Sequence, residues 1–370
     1  MNSIVPSENT LHVSALRRLT LIASELDWTL SFLCGLTHLK IGGCISEPSD
    51  ARNFLRALPE MTLLESLDLD DTIEFASAVP SRLSSLRSEN LISIPTLMDL
   101  RIDASIENVA AFLSILVFPS TVNLLLNTFH EGEEEDGIVY YFEILLALEN
   151  LFTMPISPLG SQNHIQSCRI IQGTSDFRFQ AFRSILTQDE LLTWTRILTS
   201  NTPLPSIDCT FTFEFEMYPP RPLAHRLMDV FWLDHVVTLQ VVGDLLFVPD
   251  DWAERFGRMA GLRLLLLGNN AVPYYLFWAL TLENMDMPFS GNPSEGVPKT
   301  LLFPVLDTIL VHCYNRHSSH TRFLEEYARL LHLRRNIGFP FFELSLLTVR
   351  CVKITVGCTI LGRSSNMWRS

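Results

Sequence analysis

The chain has 370 residues, of which 47% are apolar, and a formal net charge of −14. That charge argues against nucleic-acid binding, which needs concentrated basic residues to displace counterions. The longest candidates for a membrane segment, Tyr274 to Leu282 and Leu262 to Leu267, fall far short of the ~20 residues that span a bilayer, so no membrane segment is expected.

The first element in chain order is a short phrase that then returns. It consists of an apolar residue, two variable residues, Leu, one variable residue and an apolar residue. It reads Leu16 to Leu21, Leu36 to Ile41, Leu64 to Leu69 and Leu97 to Ile102. It comes back as Val236 to Val241, Leu262 to Leu267, Leu306 to Val311 and Phe341 to Leu346. This is the strand pattern of a leucine-rich repeat, in which each unit buries its apolar side only by stacking on its neighbours. The Leu and the apolar residue two positions later share one side of a strand and face the core. A turn position follows three residues on, where Ser24, Cys44, Thr72, Ser105 and Asn270 sit. Proline precedes several strands, at Pro95, Pro119 and Pro304, each five residues ahead of the central strand residue. It fixes its own backbone angle and extends its predecessor, which ends one element and aims the next.

Helices are predicted between the strands, over Asp50 to Leu58, Ile106 to Val117, Asp136 to Leu151, Thr187 to Leu198, Asp251 to Met259, Pro273 to Leu282 and Thr321 to Arg335. Ser105 is placed to cap the second of these, with Glu107 in its first turn. Alternating strands and helices imply an α/β chain with a parallel sheet. The expected fold is an irregular leucine-rich-repeat solenoid, a horseshoe with the parallel sheet curved on its concave side and helices on the convex side. The expected organisation is an N-terminal tail over 1–10, the degenerate solenoid over 11–356 and a poorly ordered tail over 357–370. Central residues Leu19, Leu39, Leu67, Leu100 and Leu124 lead on to Cys168 as the next rung, across a longer gap. The acidic run Glu131 to Asp136 reads as a solvated loop, with docking of a basic partner as its alternative. Asp286 to Lys299, rich in Pro and Gly, reads as a surface insertion.

Chemistry-bearing patterns are sparse. His312, Cys313, His317 and His320 have metal-binding residue types, but no second Cys lies nearby. They read better as a core thiol and loop histidines. The sequence has no phosphate-binding glycine loop and no nucleophile turn. Asp250 and Asp251 read as a helix start. No enzyme activity, metal or cofactor is expected. The seven scattered cysteines read as reduced thiols, and polar Met1 to Thr10 is no signal peptide. An intracellular setting, cytoplasmic or nuclear, is expected.

The outward strand positions carry the expected function. They are Arg18, His38, Lys40, Ser66, Asp68, Asp70, Asp99, Arg101 and Asp103 in the first half, and Leu264 and Leu266 in the second, with Val242, Leu310 and Leu347 beside them. One reading is a solvated sheet whose apolar end is covered by loops. The other is a concave face, polar at one end and apolar at the other, that binds a protein partner.

The phrases from Leu36 to Cys44 and Leu64 to Leu69, Trp252 to Met259 leading into Leu262 to Leu267, Leu302 to Ile309, and Leu333 to Leu346 resemble the fungal F-box proteins with degenerate leucine-rich repeats. The resemblance spreads over residues 11 to 350. It implies substrate recognition in a cullin–RING ubiquitin ligase. The F-box that docks the ligase adaptor would need about forty to fifty residues ahead of the repeats, and Met1 to Thr10 have no room for it. An adaptor is therefore implied as a partner only if an F-box lies outside this chain.

Overall fold

The computed structural model describes residues 16–23, 26–43, 48–70, 74–78, 91–119, 121–130, 134–152, 164–172, 177–191, 211–215, 221–230, 233–243, 255–268, 303–313, 343–348 and 353–356. The chain divides into two compact units, Met1–Leu186 with Asn201–Leu233, and Thr187–Ser200 with Asp234–Ser370. The chain is α/β with mostly parallel strands.

In the first unit the phrases become strands β1 (Arg18–Ile22), β2 (His38–Gly42), β3 (Ser66–Asp70) and β5 (Asp99–Ser105). They are joined by β7 (Asn123–Phe129). All five run parallel in chain order, with Leu19, Leu39, Leu67, Leu100 and Leu124 side by side. A small parallel ladder pairs β4 (Ile92–Ser93) with β6 (Leu116–Val117). Parallel neighbours need long crossovers, and these hold the helices α1 (Pro48–Ala57), α2 (Phe75–Ala78), α3 (Ile106–Ile115) and α4 (Glu134–Phe152). Each helix packs on the next, and α4 packs on the Arg221–Val230 helix.

The repeat extends to the backbone hydrogen bonds. The carbonyl just before a strand accepts two N–H groups from the start of the following strand. Arg17 O takes Thr37 N (2.8 Å) and His38 N (3.0 Å), Thr37 O takes Glu65 N (2.8 Å) and Ser66 N (2.9 Å), and Glu65 O takes Met98 N (2.7 Å) and Asp99 N (3.0 Å). At the strand ends, Ala23 N and Gly43 N donate to Gly42 O and Asp70 O. Both residues adopt positive φ, 47° for Ala23 and 64° for Gly43. Glycine suits that turn because it has no Cβ to clash.

The core lies between strands and helices. Leu36, Leu64 and Leu97 open their phrases fully buried, as do Leu39, Leu67 and Leu100 at the centre and Ile41, Leu69 and Ile102 at the close. A column of aromatics runs through it, one from each successive connection. Trp28 meets Phe54 edge-on at 4.9 Å, Phe54 lies 6.1 Å from Phe75, and Phe75 stacks on Phe112 at 4.5 Å. Each such contact adds about 0.5–1.5 kcal/mol beyond its buried area. On the inner side of β7, Thr128 is buried and donates to Glu214 O (3.0 Å). It also shares a hydrogen bond with Tyr141 of α4, whose phenol is pushed up to about 12, chiefly by burial.

The next rung is not the expected one. β8 (Ser167–Gln172) and β9 (Phe177–Phe182) pair antiparallel, with Cys168 opposite Ala181. β10 (Phe211–Phe215) pairs antiparallel with β9 and parallel with β7, so Phe211, not Cys168, stands beside Leu124. Four residues separate β8 from β9, and so short a link closes only an antiparallel hairpin.

In the second unit β11 (Thr238–Val242), β12 (Leu264–Gly268), β13 (Thr308–Cys313) and β14 (Glu343–Thr348) run parallel, with Leu239, Leu265, Ile309 and Leu344 in register. β15 (Lys353–Val356) pairs antiparallel with β14. The two-donor carbonyl returns at Val237 and Arg263.

Several expectations change in detail. Pro95 and Pro304 sit second in turns closed by Leu97 N to Ile94 O and Leu306 N to Phe303 O. Pro119 instead offers its carbonyl to Val122 N. The predicted helix over 251–259 is, among described residues, a single 3-10 turn at Phe256–Arg258. Within the acidic run, Glu134 to Asp136 open α4 instead of lying in a loop. Ser105 precedes α3 without a side-chain cap bond. Its hydroxyl accepts from Asn108 Nδ2 (3.0 Å), while Asn108 Oδ1 accepts Ala76 N (2.9 Å) and so ties α3 to α2. The predicted helices over 273–282 and 321–335, the insertion over 286–299 and the tail over 357–370 lie outside the described residues, as do Ser24, Cys44, Thr72 and Asn270.

Candidate functional site

Side chains alternate along a strand, so the leucines turned toward the helices leave their neighbours on the opposite side. In the first unit register sorts these neighbours into three rows. The first holds Arg18, His38, Ser66, Asp99 and Asn123, and the second Thr20, Lys40, Asp68, Arg101 and Leu125. The third holds Ile22, Gly42, Asp70, Asp103 and Asn127. The nine polar residues expected from the sequence are thus brought onto one face. Each is exposed or half-buried.

The rows are wired across strands. Lys40 Nζ lies 2.8 Å from Asp68 Oδ2. Arg101 sits between two carboxylates, 3.8 Å from Asp68 Oδ1 and 4.0 Å from Asp103 Oδ2. Asn123 Nδ2 donates to Asp99 Oδ1 (2.9 Å) and Asn127 Nδ2 to Asp103 Oδ2 (3.0 Å). Thr37 Oγ1 is 2.9 Å from His38 Nδ1. Cross-strand pairs of this sort contribute about 0.2–1 kcal/mol each, so the rows hold side chains in place more than they stabilise the fold. Gly42 leaves a low point in the third row beside Asp70, the nearest side chain to a Cβ placed there (3.7 Å).

The second row closes after Leu125. Thr212, Gln180 and Arg169 continue it in register and are buried. Arg169 Nη1 donates to Gln180 Oε1 (2.9 Å), and Gln180 Nε2 to Thr212 Oγ1 (3.3 Å). Along that row the accessible part is therefore the one over β1 to β7, whereas the third row runs on from Asn127 to Glu214 and Arg178, half-buried and paired at 2.7 Å. Asn123 and Asn127 belong to it and were not foreseen. They occupy the positions on β7 that Asp99 and Asp103 occupy on β5, and aligning the phrases across β7 would have found them.

The apolar end is corrected. Leu266 is fully buried, as are Leu310, Val242 and Gln240, and Leu264 is half-buried. In the second unit both sides of β11 and β12 are covered, so Leu266 offers nothing to a partner in this structure.

Elsewhere, Glu107 Oε1 lies 2.8 Å from His130 Nδ1, joining α3 to the end of β7. His312 and Cys313 lie in β13, and His317 and His320 lie outside the described residues. Among the described residues no three His, Cys, Asp or Glu converge to hold a metal, and no helix is long and apolar enough to cross a membrane. No protein-family model matches the chain, and no curated protein is found to resemble its sequence.

Proposed function

We propose that the chain is a protein-interaction module of the leucine-rich-repeat type, acting in the cytoplasm or nucleus. Its strands would form the inner wall of a horseshoe, and a protein partner would seat on the polar rows of the first unit. The observation that carries this reading is the contrast between the two sides of the same strands. One side is close-packed leucine, while the other is an accessible field of charges and amides held by neighbours. Binding would rest on shape and charge complementarity, with Asp68, Asp70, Asp99, Asp103, Arg18, Lys40 and Arg101 fixing partner and register. Leu266, buried, takes no part.

The test replaces Asp68, Asp70 and Arg101 together by Ala. These side chains face away from the core, so circular dichroism and cooperative unfolding should be unchanged. Quantitative mass spectrometry should show a stoichiometric protein companion of the native chain lost from the variant. Identical companions for both proteins would refute the reading. The ligase-receptor reading rests on the repeat phrases that resemble the F-box proteins. It adds one outcome to the same experiment, co-purification of the ligase adaptor with both proteins.

A further inference from the structure

A second surface lies on the helical side of the first unit and is independent of the strand rows. α4 is apolar on two sides. Tyr141, Ile144, Leu145 and Leu148 are buried. Val139, Phe142 and Leu146, spaced three and four apart, form a separate stripe that is 58%, 43% and 41% exposed. A helix apolar all round is normally buried all round. α1 shows the usual pattern, with Arg52, Asn53 and Arg56 at its exposed positions. The stripe covers about 10 Å at 1.5 Å per residue, which matches the anchors that one face of a partner helix presents at i, i+3 or i+4, and i+7.

Charge indicates what would cover it. Glu143 lies one turn from both Val139 and Leu146 and is half-buried. Burial raises its carboxyl above the ordinary range. Farther along, Glu149 is already paired with Arg226 at 3.1 Å. At the other end, Glu134, Glu135 and Asp136 are the first three residues of the helix. We propose that the outer face of α4 docks an amphipathic helix of a second protein, whose apolar side covers Val139, Phe142 and Leu146 and whose flanking Lys or Arg meets Glu143.

A displayed library of randomised helical peptides, selected against the full-length chain, tests this. Enriched peptides should carry apolar residues at helical spacing with Lys or Arg beside them. Their affinity should fall about tenfold or more for Phe142→Ser, as loss of a central aromatic anchor does. It should fall again for Glu143→Lys and in high salt. Leu146→Ser is the second variant should Phe142→Ser alter the circular dichroism. Failure to enrich any peptide would overturn the proposal, as would enriched peptides that bind the variants equally or lack basic residues. So would a concentration-dependent dimer of the chain abolished by Phe142→Ser, which would assign the face to a second copy. The triple variant of the strand rows should bind these peptides unchanged, which separates the two surfaces.

Discussion

Leu67→Ala tests the packing on which the surface depends. Leu67 is 1% exposed and stands in register between Leu39 and Leu100. The substitution removes three carbons, which at ~0.8 kcal/mol for each buried CH₂ costs about 2.4 kcal/mol. The cavity adds to this, because ladder hydrogen bonds on both sides keep β2 and β5 from closing on the gap. At ~24 cal/mol per Å³, a residual cavity of about 50 Å³ adds roughly 1 kcal/mol. A loss of about 3–4 kcal/mol is expected. The chain has two units that need not unfold together. Urea unfolding should therefore be followed both by circular dichroism and by native-state hydrogen exchange of β2, β3 and β5 amides. Asp68→Ala, one residue on and facing the other way, should cost no more than about 1 kcal/mol. Equal costs for the two, or a Leu67→Ala effect near zero, would refute the assignment of inner and outer sides.

Three further outcomes follow from individual residues. The Tyr141 phenol is raised from 10.0 to about 12, so its contribution to stability is intact below pH 10 and is lost as pH rises toward 12. That is at most about 3 kcal/mol; Tyr141→Phe should remove this pH dependence, read by unfolding at pH 9 and pH 11.5. Gly43→Ala forces a Cβ onto a φ of 64° and should cost about 1–2 kcal/mol, whereas Ala23→Gly at the equivalent turn should gain up to about 1 kcal/mol. Equal thermal melting for all three proteins would contradict the turn geometry. A double-mutant cycle on Lys40 and Asp68 should give a coupling of about 0.5 kcal/mol that shrinks in salt; a coupling untouched by salt would place the pair away from solvent.

The leucine phrases were legible because a period of two with large apolar residues admits one arrangement when one side is buried. The register of Leu39, Leu67 and Leu100 follows from that alone, and so do the nine polar residues opposite them. The antiparallel insertion was not read. Phe177, Arg178, Phe179 and Gln180 alternate as a strand should, but they lack the leucine phrase, and the chain count favoured Cys168 as the next rung. The aromatic column of Trp28, Phe54, Phe75 and Phe112 was missed because its members are unevenly spaced in sequence and meet only across different connections. The burial of Leu266 was beyond the sequence as well. An apolar residue at an outward position reads the same whether a partner or the protein itself covers it.

The most direct measurement is photo-crosslinking from a benzophenone amino acid placed at position 40, 101 or 52 in the native cellular setting. Lys40 and Arg101 lie on the proposed binding face, and Arg52 is exposed on α1. The account predicts the same protein adduct from positions 40 and 101 and none of it from 52. Adducts absent from 40 and 101, or shared equally with 52, would contradict it.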